Sequence, residues 1–398
     1  MGAGRALVVG GSVAGLLVAL LLRRQGWAVS VHERALGDLA GRGAGLGVSQ
    51  ELLDVMARAG APFAPSAGVP QRFHVWMAQD GSIRFEHRRN LMASAWARIY
   101  QPLREALPAE TYRQGSVLER VEEEGERVTA FFAGGVRESA DLLIAADGAN
   151  STARRQFLPG VAPAFVDYVA WRGLVEERDM PAETRAAVDG RLVFCFPPGG
   201  MLLCMVAPGA GEDTRPGHRR LYFIWYRTVR PEALAQLFTD DSGKHHGMSI
   251  PPPLIRAEVV RELKTDAARV LPAAIAHVVR AVSQPLLQAI SDMESPRLAF
   301  GRVALAGDAA FVVRPHVAGG AGKAAMDAAC LADSLVQASD VRAALADYEC
   351  RQLDFGRRIV RHSRNLGAEL ERGATPRDPE RIIREYGAPN ILHDVETR

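Results

Sequence analysis

The stretch ALVVGGSVAGLLVALLLRRQGWAVSVHE, residues 6–33, decides how this chain is expected to fold. Its first four residues form an apolar strand that runs into Gly10, a helix is predicted after Gly15 to about Gln25, and residues 29–32 are predicted to form a second strand. In such a unit the first glycine permits the tight turn, the last permits close packing of helix on strand, and free N–H groups face a pyrophosphate. The stretch therefore predicts a dinucleotide-binding fold.

Two acidic or polar side chains in this unit indicate which nucleotide it binds. Ser12 stands where the G-x-G-x-x-G pattern has its middle glycine, so the fingerprint departs from its usual form at one position. Glu33 follows the second strand at about the 20-residue spacing at which a carboxylate binds ribose hydroxyls. Because a carboxylate repels a 2′-phosphate, we expect an adenosine without that phosphate. We also expect the neighbouring Arg34 to contact the cofactor.

Composition and charge favour small-molecule chemistry. The 398 residues are 48% hydrophobic and 24% charged, which are ordinary values for a globular chain, and the length predicts two or three domains. A net charge of +2 without a block of like charge argues against a nucleic-acid groove. We therefore expect no nucleic-acid partner.

The cysteines and the N-terminus predict a cytoplasmic protein. The four cysteines are Cys195, Cys204, Cys330 and Cys350. They show no C-x-x-C spacing and are expected to be free thiols in a reducing compartment. The apolar run after Gly15 is too short to span a bilayer, so we expect neither a targeting segment nor a membrane partner. His245 and His246 have no third ligand at zinc-like spacing, so no metal is expected.

Two further stretches place glycines or acids next to predicted strands. Residues 41–47, GRGAGLG, are either a flexible loop or backbone that passes along the cofactor, with Arg42 available to it. Residues 141–154, DLLIAADGANSTAR, predict a buried strand that ends on Asp147 and Gly148 before a basic helix. Acids and arginines at the carboxyl end of a parallel strand lie where α/β proteins bind ligands.

Residues 301–323, GRVALAGDAAFVVRPHVAGGAGK, combine a strand, an acid and a glycine-rich loop. The apolar strand ends near Asp308, and Pro315 then forces an extended turn. Gly319 and Gly320 allow backbone N–H groups to approach a ligand before an Ala-rich helix begins, which would form a cradle for a planar or anionic group. Taken alone, the stretch is equally well a glycine-rich connection that carries a buried aspartate.

Three motifs in this order resemble those of the FAD-dependent aromatic hydroxylases of the para-hydroxybenzoate hydroxylase type, the class A flavoprotein monooxygenases. The motifs are GGSVAG at residues 10–15 with Glu33, DGANSTAR at 147–154, and GDAA at 307–310 followed by RPHVAGGAGKA. The resemblance covers about residues 5–365. It extends to the branch of the family that hydroxylates dihydroxypyridines, through RPHVAGGAGKA, VAWRGLV at 169–175 and IWY at 224–226.

The resemblance implies which residues bind FAD, and that they do so non-covalently. The implied contacts to the pyrophosphate and the ribose are Gly10, Ser12, Gly15 and Glu33. The implied contacts to the diphosphate, the ribityl chain and the border of the isoalloxazine ring are Asp147, Gly148, Asp308, Pro315, Val317, Gly319 and Gly320. Two positions depart from the family: Tyr100 stands where many members have an arginine that contacts FAD, and Phe311 where a histidine often follows GDAA.

The expected fold class is α/β, with a Rossmann-like FAD-binding domain, an inserted, mostly antiparallel β-sheet substrate domain and a C-terminal helical segment. The residues themselves also predict the inserted sheet, because aromatic and β-branched runs separated by Gly and Pro fill the middle of the chain. The expected domains are a discontinuous FAD-binding domain at 1–70, 98–160 and 285–368, a substrate domain at 71–97 and 161–284, and a polar C-terminal tail at 369–398.

The resemblance also implies the reaction. NAD(P)H would reduce FAD, O₂ would add to the reduced flavin as a C4a-hydroperoxide, and a hydroxylated aromatic or N-heteroaromatic ring, such as a hydroxypyridine, would be hydroxylated. The residues support this in one way: the sequence holds one dinucleotide fingerprint, so NAD(P)H is expected to visit the same cleft as a transient co-substrate. The partners would be a small aromatic substrate, O₂ and a second copy of the chain in a homodimer.

The group that activates the substrate has several candidates. His316 ranks first because it protrudes from the glycine-rich loop and titrates near neutral pH, although a loop histidine bonded to backbone is the alternative. Arg172, Tyr226 and Trp225 follow. Arg172 is alternatively an anchor of the sheet, and only one of the two aromatic residues is expected to face the cleft, because neighbours in a strand alternate. The alternative functions are a flavin-dependent dehydrogenase or reductase without oxygen insertion, and a flavin-binding regulator without turnover.

Overall fold

The structure, a computed structural model, describes residues 4–39, 45–64, 68–375 and 377–386. Two large sheets and one small sheet carry the fold. The α/β class expected from the sequence, with a Rossmann-like unit at its start, is confirmed.

The first sheet contains the predicted nucleotide-binding unit. Its described strands, in spatial order, are β17 (Ala299–Phe300), β18 (Val303–Leu305), β10 (Leu142–Ala145), β1 (Arg5–Val9), β2 (Ala28–His32) and β6 (Tyr112–Arg113). All neighbours are parallel except β17, which is antiparallel to β18. Strands β1 and β10 are apolar and buried along almost their whole length, as expected for a parallel sheet covered on both faces. The carboxyl ends of β1, β2 and β10 therefore meet at one edge.

Helices connect these strands and pack around them. They are α1 (Val13–Arg24), α2 (Gln50–Arg58), α3 (Trp96–Ala106), α4 (Thr152–Phe157), α9 (Gly320–Gln337) and α10 (Val341–Gly367). Helix α9 packs against α1, α2 and α10. Its many alanines and glycines allow this crowded central position, because small side chains let neighbouring helices approach.

A small antiparallel sheet follows β6 in the chain. Its strands are β7 (Leu118–Glu124), β8 (Arg127–Phe132) and β9 (Val136–Ala140). Gly134 and Gly135 form the turn between β8 and β9, and both have positive φ, at 80° and 78°. Tyr112, a few residues before β7, belongs to the first sheet, where it pairs in parallel with Val31 at the edge.

The second sheet is the predicted inserted sheet. Its described strands, in spatial order, are β15 (Ser249–Ile250), β16 (Leu286–Glu294), β11 (Ala164–Glu176), β14 (Arg220–Thr228), β13 (Gly200–Ala207), β12 (Arg191–Cys195), β4 (Val69–Met77), β5 (Ile83–Ala95) and β3 (Gly45–Val48), with β19 (Phe311–Val312) on β16. It is antiparallel throughout, except that β12 and β4 are parallel. The expectation of a mostly antiparallel sheet is thus confirmed.

The two faces of the second sheet bury different residues. Along β14, Phe223 and Trp225 point to an outer face, while Tyr222, Ile224 and Tyr226 point to an inner face. This alternation follows from the two-residue period of a strand. The outer face is covered by the helices α5 (Ala182–Val188), α6 (Pro231–Leu237), α7 (Ala257–Val270) and α8 (Ala273–Ala281). The inner face looks toward the carboxyl edge of the first sheet.

Some strands, and part of the predicted polar tail, lie elsewhere in the fold than the predicted domain boundaries imply. Strands β3, β16 and β19 lie in ranges that the sequence assigned to the FAD-binding domain, yet all three pair within the second sheet. The division into domains remains a prediction. In the expected polar tail, Leu370, Ile382 and Ile383 are buried against the inner face, and residues Pro379–Glu385 form helix α11. The described part of the tail is therefore packed on the second sheet.

The described ranges contain neither a membrane-spanning helix nor a cluster of metal-binding side chains. No helix there combines the length and the apolar character needed to cross a bilayer. No group of three or more His, Cys, Asp or Glu residues there is arranged to hold a metal ion. Cys195, Cys204 and Cys330 are buried free thiols, and Cys350 is an exposed one.

Candidate active site

The turn between β1 and α1 is built around two glycines. Gly10 has a φ of 106°, and a Cβ there would lie 2.1 Å from the backbone oxygen of Ala146. A Cβ on Gly15 would lie 1.8 Å from the oxygen of Gly10. Ser12 is the N-cap of α1 but makes no side-chain capping bond, so the first N–H groups of the helix are left for a ligand.

The Glu33 carboxylate lies beside this turn in a fixed position. Its two oxygens accept hydrogen bonds at 2.8 Å, one from the backbone N–H of Gly11 and the other from that of Ala35. The side chain is only 7% exposed, while the next residue, Arg34, is exposed at the edge of the cleft. An acceptor for hydroxyl groups thus stands next to the N-terminus of α1.

The segment after β10 links two of the three motifs. Asp147 accepts a hydrogen bond from the N–H of Thr152 at 2.7 Å, and its Oδ1 is buried without a partner among the described residues. Gly148 follows with a φ of 80°. Arg154, fully buried, donates to the oxygen of Ala309 at 3.2 Å. The guanidinium of Arg154 therefore joins the loop after β10 to the loop after β18.

The loop after β18 is held from behind by helix α9. Lys323, with an exposure of 0%, donates through Nζ to the oxygen of Gly307 at 2.8 Å and to Asp327 at 2.9 Å. Asp327 in turn accepts the N–H of Gly307 at 2.8 Å. Asp308 is left open to the cleft. Desolvation by the protein around the carboxyl group nevertheless raises the pKa of Asp308, and the charge of Lys323 opposes this rise.

The glycine-rich loop ends at the N-terminus of α9. A 3-10 turn spans Pro315–Val317, and Ala318 then takes a left-handed φ of 48°. Helix α9 begins at Gly320 and has no side-chain cap, so its first N–H groups are also free for a ligand. This matches the expected cradle: Pro315, Gly319 and Gly320 line the cleft.

These elements border one cleft with two adjacent lobes. The first lobe has a volume of about 610 Å³ and the second about 410 Å³. Both are lined by Ser12, Trp96, Ala146, Gly148 and Arg172. The first lobe lies at the carboxyl edge of the first sheet, and the second lies between that edge and the inner face of the second sheet.

Most of the predicted cofactor residues come together around this cleft. The first lobe is lined by Gly10, Ser12, Glu33, Arg34, Asp147 and Gly148. The second is lined by Ser12, Gly148, Asp308, Pro315, Gly319 and Gly320. Gly15 and Val317 line neither lobe: Gly15 packs under the turn, and Val317 is buried against Phe355. Arg42 lies outside the described residues.

His316 does not face the cleft. Its ring has an exposure of 0%, and its Nε2 lies 2.8 Å from the hydroxyl of Tyr168. Burial and the charge of Arg314 lower the pKa of His316 to about 3, so the ring is neutral. The expectation of an acid or base that protrudes toward the substrate is therefore corrected, because the tight 3-10 turn directs this side chain back toward β11.

Two of the other catalytic candidates also lie away from the cleft lining. Trp225 and Tyr226 point to opposite faces of β14, as alternation predicted. Trp225 is buried under the outer helices. Tyr226 is on the inner face but packs against His316, with ring centres 4.3 Å apart. The proposal that either one contacts the substrate is corrected accordingly.

Arg172 is the remaining candidate, and it lines both lobes. It is half-buried on β11, opposite Ile224 of β14. Its Nε is buried without a hydrogen-bond partner, and its guanidinium has no ion pair among the described residues. An unpaired cation at the junction of the lobes is suited to an anionic group of a ligand.

Several residues that line the cleft were not predicted from the sequence. The second lobe is also lined by Met205, Tyr222, Ile224, Gln288 and Tyr386. Alternation along β14 was the signal for Tyr222 and Ile224. Trp96 lines both lobes and stacks on the buried ring of Tyr100, with centres 4.8 Å apart. Tyr100, which stands where many members of the resembling family have an arginine, thus packs on the Trp96 ring that lines the cleft.

The cleft fits FAD on the evidence of its own atoms. At Gly148 and Gly320 the space that a Cβ would take is open. The first lobe pairs a helix N-terminus with the Glu33 carboxylate, as a pyrophosphate and a ribose require. The second lobe adds Asp308 as an acceptor and the N-terminus of α9. Two free helix N-termini in one elongated cleft suit a long dinucleotide that carries both a diphosphate and an electron-rich ring.

Comparisons with known proteins agree with this fit. Two family models match the chain: an FAD binding domain-like model over residues 165–292 and an FAD binding domain model over residues 254–363. The 2,6-dihydroxypyridine 3-monooxygenase of Paenarthrobacter nicotinovorans is 29% identical over 393 residues, which cover 97% of this chain and 96% of that protein.

Solved structures give the same result. The structure of 2,6-dihydroxypyridine-3-hydroxylase from Arthrobacter nicotinovorans superposes with a TM-score of 0.87 at 28% identity, covering 96% of both chains. Klebsiella pneumoniae HpxO, complexed with FAD and uric acid, shares the fold with a TM-score of 0.76 at 22% identity, covering 98% of this chain and 95% of that one. The resemblance to FAD-dependent hydroxylases that the three motifs indicated is thus confirmed.

Proposed function

We propose that this chain is an FAD-dependent monooxygenase that hydroxylates a hydroxylated aromatic or N-heteroaromatic ring, of the hydroxypyridine kind, with NAD(P)H and O₂. The observation that carries this proposal is the second lobe. Asp308 and the N-terminus of α9 border it from the first sheet, and the rings of Tyr222 and Tyr386 border it from the other side. Such a lobe suits a planar substrate next to a flavin. The activity of the dihydroxypyridine relative supports the same substrate class.

The chain's own residues prepare the substrate and its surroundings. When bound, FAD supplies the activation of O₂ with electrons from NAD(P)H. The unpaired guanidinium of Arg172 favours the anionic form of a hydroxylated ring, and loss of the proton makes that ring a better nucleophile. Tyr222 and Met205 offer aromatic and apolar surface that orients the ring and excludes water.

The FAD contacts are part of the proposal. Gly10, Ser12 and the N-terminus of α1 would bind the pyrophosphate, and Glu33 the ribose. Asp308 would accept hydrogen bonds from the ribityl chain, while the residues from Pro315 to Gly320 would border the isoalloxazine ring. The capping, burial and cleft positions described above support this assignment. It leaves His316 as a support of the loop and gives it no contact with substrate.

The proposed reaction also needs a reductant, and the protein is proposed to act as a cytoplasmic dimer. NAD(P)H would enter the same cleft as a transient co-substrate, which the single dinucleotide fingerprint of the sequence supports. The protein would act in the cytoplasm as a homodimer, as the family resemblance and the free cysteines suggested. Light scattering of the FAD-loaded protein checks the assembly, and a monomeric mass would contradict it.

A screen of hydroxylated aromatics and pyridines tests the function. With FAD bound and either NADH or NADPH supplied, we expect at least one compound to stimulate NAD(P)H oxidation and to gain one oxygen atom from ¹⁸O₂, detected by mass spectrometry. Stimulated oxidation of NAD(P)H without ¹⁸O in the organic product would instead support a dehydrogenase or reductase. The monooxygenase names of the relatives favour the first outcome.

A further inference from the structure

The segment that follows α10 runs along the inner face of the second sheet. It starts with a 3-10 turn at Ala368–Leu370, whose last oxygen accepts a hydrogen bond from Thr228 of β14 at 2.7 Å. Helix α11 then packs against β4 and β5, with Ile382 and Ile383 buried in the same apolar cluster as Tyr222. The described end of the chain is therefore docked on the sheet that carries the second lobe.

Polar contacts hold the last turn of this segment in place. The oxygen of Arg384 accepts a hydrogen bond from Arg89 of β5 at 3.0 Å, and the guanidinium of Arg384 lies 4.5 Å from the ring centre of Phe85. Arg377 and Arg381 both pair with Glu385. The contacts of Arg384 with β5 fix the direction in which Tyr386 enters the fold, whereas the pair of Arg381 with Glu385 is exposed and contributes little.

Tyr386 reaches the cleft from this segment. Its side chain has an exposure of 6% and meets the ring of Phe194 edge-on, with centres 5.0 Å apart. It lines the second lobe together with Tyr222 and Arg172. Burial, followed by the neighbouring Tyr222, raises the pKa of Tyr386 above its usual range, so the hydroxyl stays protonated and is a hydrogen-bond donor.

We propose that Tyr386 is a substrate-contacting, specificity-determining residue, which closes the second lobe around a single planar ring and sets the distance of that ring from Arg172. This inference rests on the proposed hydroxylase function. The aromatic face of Tyr386 offers an edge-on or stacked contact to the substrate, and its hydroxyl donates to a ring oxygen or nitrogen. The guanidinium of Arg172 attracts the anionic group of the same ring. The segment after α10 is thereby a wall of the substrate site.

Three variants of the FAD-loaded full chain separate this role from a purely structural one. Tyr386→Ala removes the ring, Tyr386→Phe keeps the ring but removes the hydroxyl, and Arg381→Ala is a matched control on the exposed side of α11. For the monocyclic substrate that the screen finds to be hydroxylated, we expect Tyr386→Ala to raise both KM and the Kd from calorimetry about tenfold, with FAD content unchanged. Tyr386→Phe should restore most of the affinity, and Arg381→Ala should match the parent protein.

The outcomes distinguish the inference from the function on which it rests. A Kd and KM that stay within twofold in Tyr386→Ala would overturn the role of Tyr386, whatever the chemistry. Binding of ring compounds by the parent protein without hydroxylation would contradict the proposed function, while the Kd ratio between the variants would still decide the inference. Failure of the parent protein to bind any compound of the panel would overturn both. If Tyr386→Ala does not fold, Tyr386→Leu, which keeps apolar volume without a ring, replaces it in the same measurements.

Discussion

Glu33 is held in place by the protein before any nucleotide binds. Its carboxylate accepts hydrogen bonds from the N–H groups of Gly11 and Ala35, both at 2.8 Å. Because these bonds fix the side chain, little conformational entropy is lost when a ribose hydroxyl donates to it. The same bonds also stabilise the turn after β1, so Glu33 serves both the fold and the ligand.

Replacement of Glu33 is expected to weaken FAD binding strongly. Glu33→Ala removes an ionic acceptor worth about 1.5–3 kcal/mol, so the Kd of the apoprotein for FAD should rise by about 10- to 100-fold. Titration of FAD fluorescence measures this directly. Glu33→Gln keeps one oxygen acceptor and should lose less affinity. An unchanged Kd in both variants would remove Glu33 from the nucleotide site.

Two buried histidines make the protein sensitive to acid. Burial is the main cause that lowers the pKa of His316 and of His74 to about 3, with the charge of Arg314 assisting at the first and that of Arg89 at the second. In the unfolded chain both groups titrate near 6.5. The unfolded state therefore binds more protons between pH 3 and 6.5, and the stabilising effect of the neutral rings is complete above 6.5 and falls as the pH drops below it.

The pH dependence of unfolding tests this argument. Each histidine should contribute up to about 1.4 kcal/mol per pH unit to the loss of unfolding free energy below pH 6.5. Urea denaturation of His74→Gln between pH 5 and 7 should show a shallower slope than the parent protein. His245→Gln, at an exposed position, is the control and should leave the slope unchanged. Equal slopes for all three proteins would show that His74 does not stay neutral in the fold.

Helix α9 contacts the site both at its N-terminus and through buried side chains one turn later. Its N-terminus faces the second lobe, and one turn later the buried pair of Lys323 and Asp327 binds both backbone groups of Gly307. This arrangement places Asp308 at the floor of the cleft. A buried ion pair is costly to desolvate and contributes little net stability, but removal of one partner leaves an uncompensated charge.

Lys323→Met should therefore destabilise the protein and loosen the loop after β18. We expect a loss of about 3–5 kcal/mol in the free energy of unfolding, with weaker FAD binding because Asp308 is displaced. Arg351→Met breaks an exposed pair with Asp347 at the same i, i+4 spacing in α10 and should cost less than about 0.5 kcal/mol. Chemical denaturation of both variants measures the contrast, and similar losses would contradict the special role of Lys323.

At the scale of the whole molecule, the cleft unites the two large sheets. The second lobe is lined by Ser12 and Gly307, in the loops that follow β1 and β18 of the first sheet, and by Gly45 and Tyr222 of the second sheet. A ligand that fills it contacts both sheets and stabilises only the state in which they are together. Neither sheet alone presents the complete site.

FAD is therefore expected to stabilise the whole chain as one unit. At a free concentration of about 1,000 times its Kd, FAD adds about 4 kcal/mol to the folded state, so the holoprotein should melt several degrees above the apoprotein. Calorimetry should show a single transition for the holoprotein. Two transitions, of which FAD shifts only one, would indicate that the cofactor binds to one sheet region without the other.

Short sequence patterns predicted the elements whose geometry depends on neighbouring residues alone. Glycine spacing and apolar runs predicted the unit from β1 to β2, because a tight turn and a close helix packing each require a missing Cβ at a defined position. The acids that follow β2, β10 and β18 lie along one edge since parallel strands end on the same side. Alternation along β14 correctly placed Trp225 and Tyr226 on opposite faces.

Which side chains reach the cleft depends on tertiary contacts. His316 looks like a protruding acid or base in sequence, but a 3-10 turn and the contact with Tyr168, distant in the chain, direct it inward. Tyr386 belongs to a segment without any motif and reaches the cleft because α11 docks on β4 and β5. Such orientations depend on contacts between residues far apart in the chain, and no local pattern encodes them.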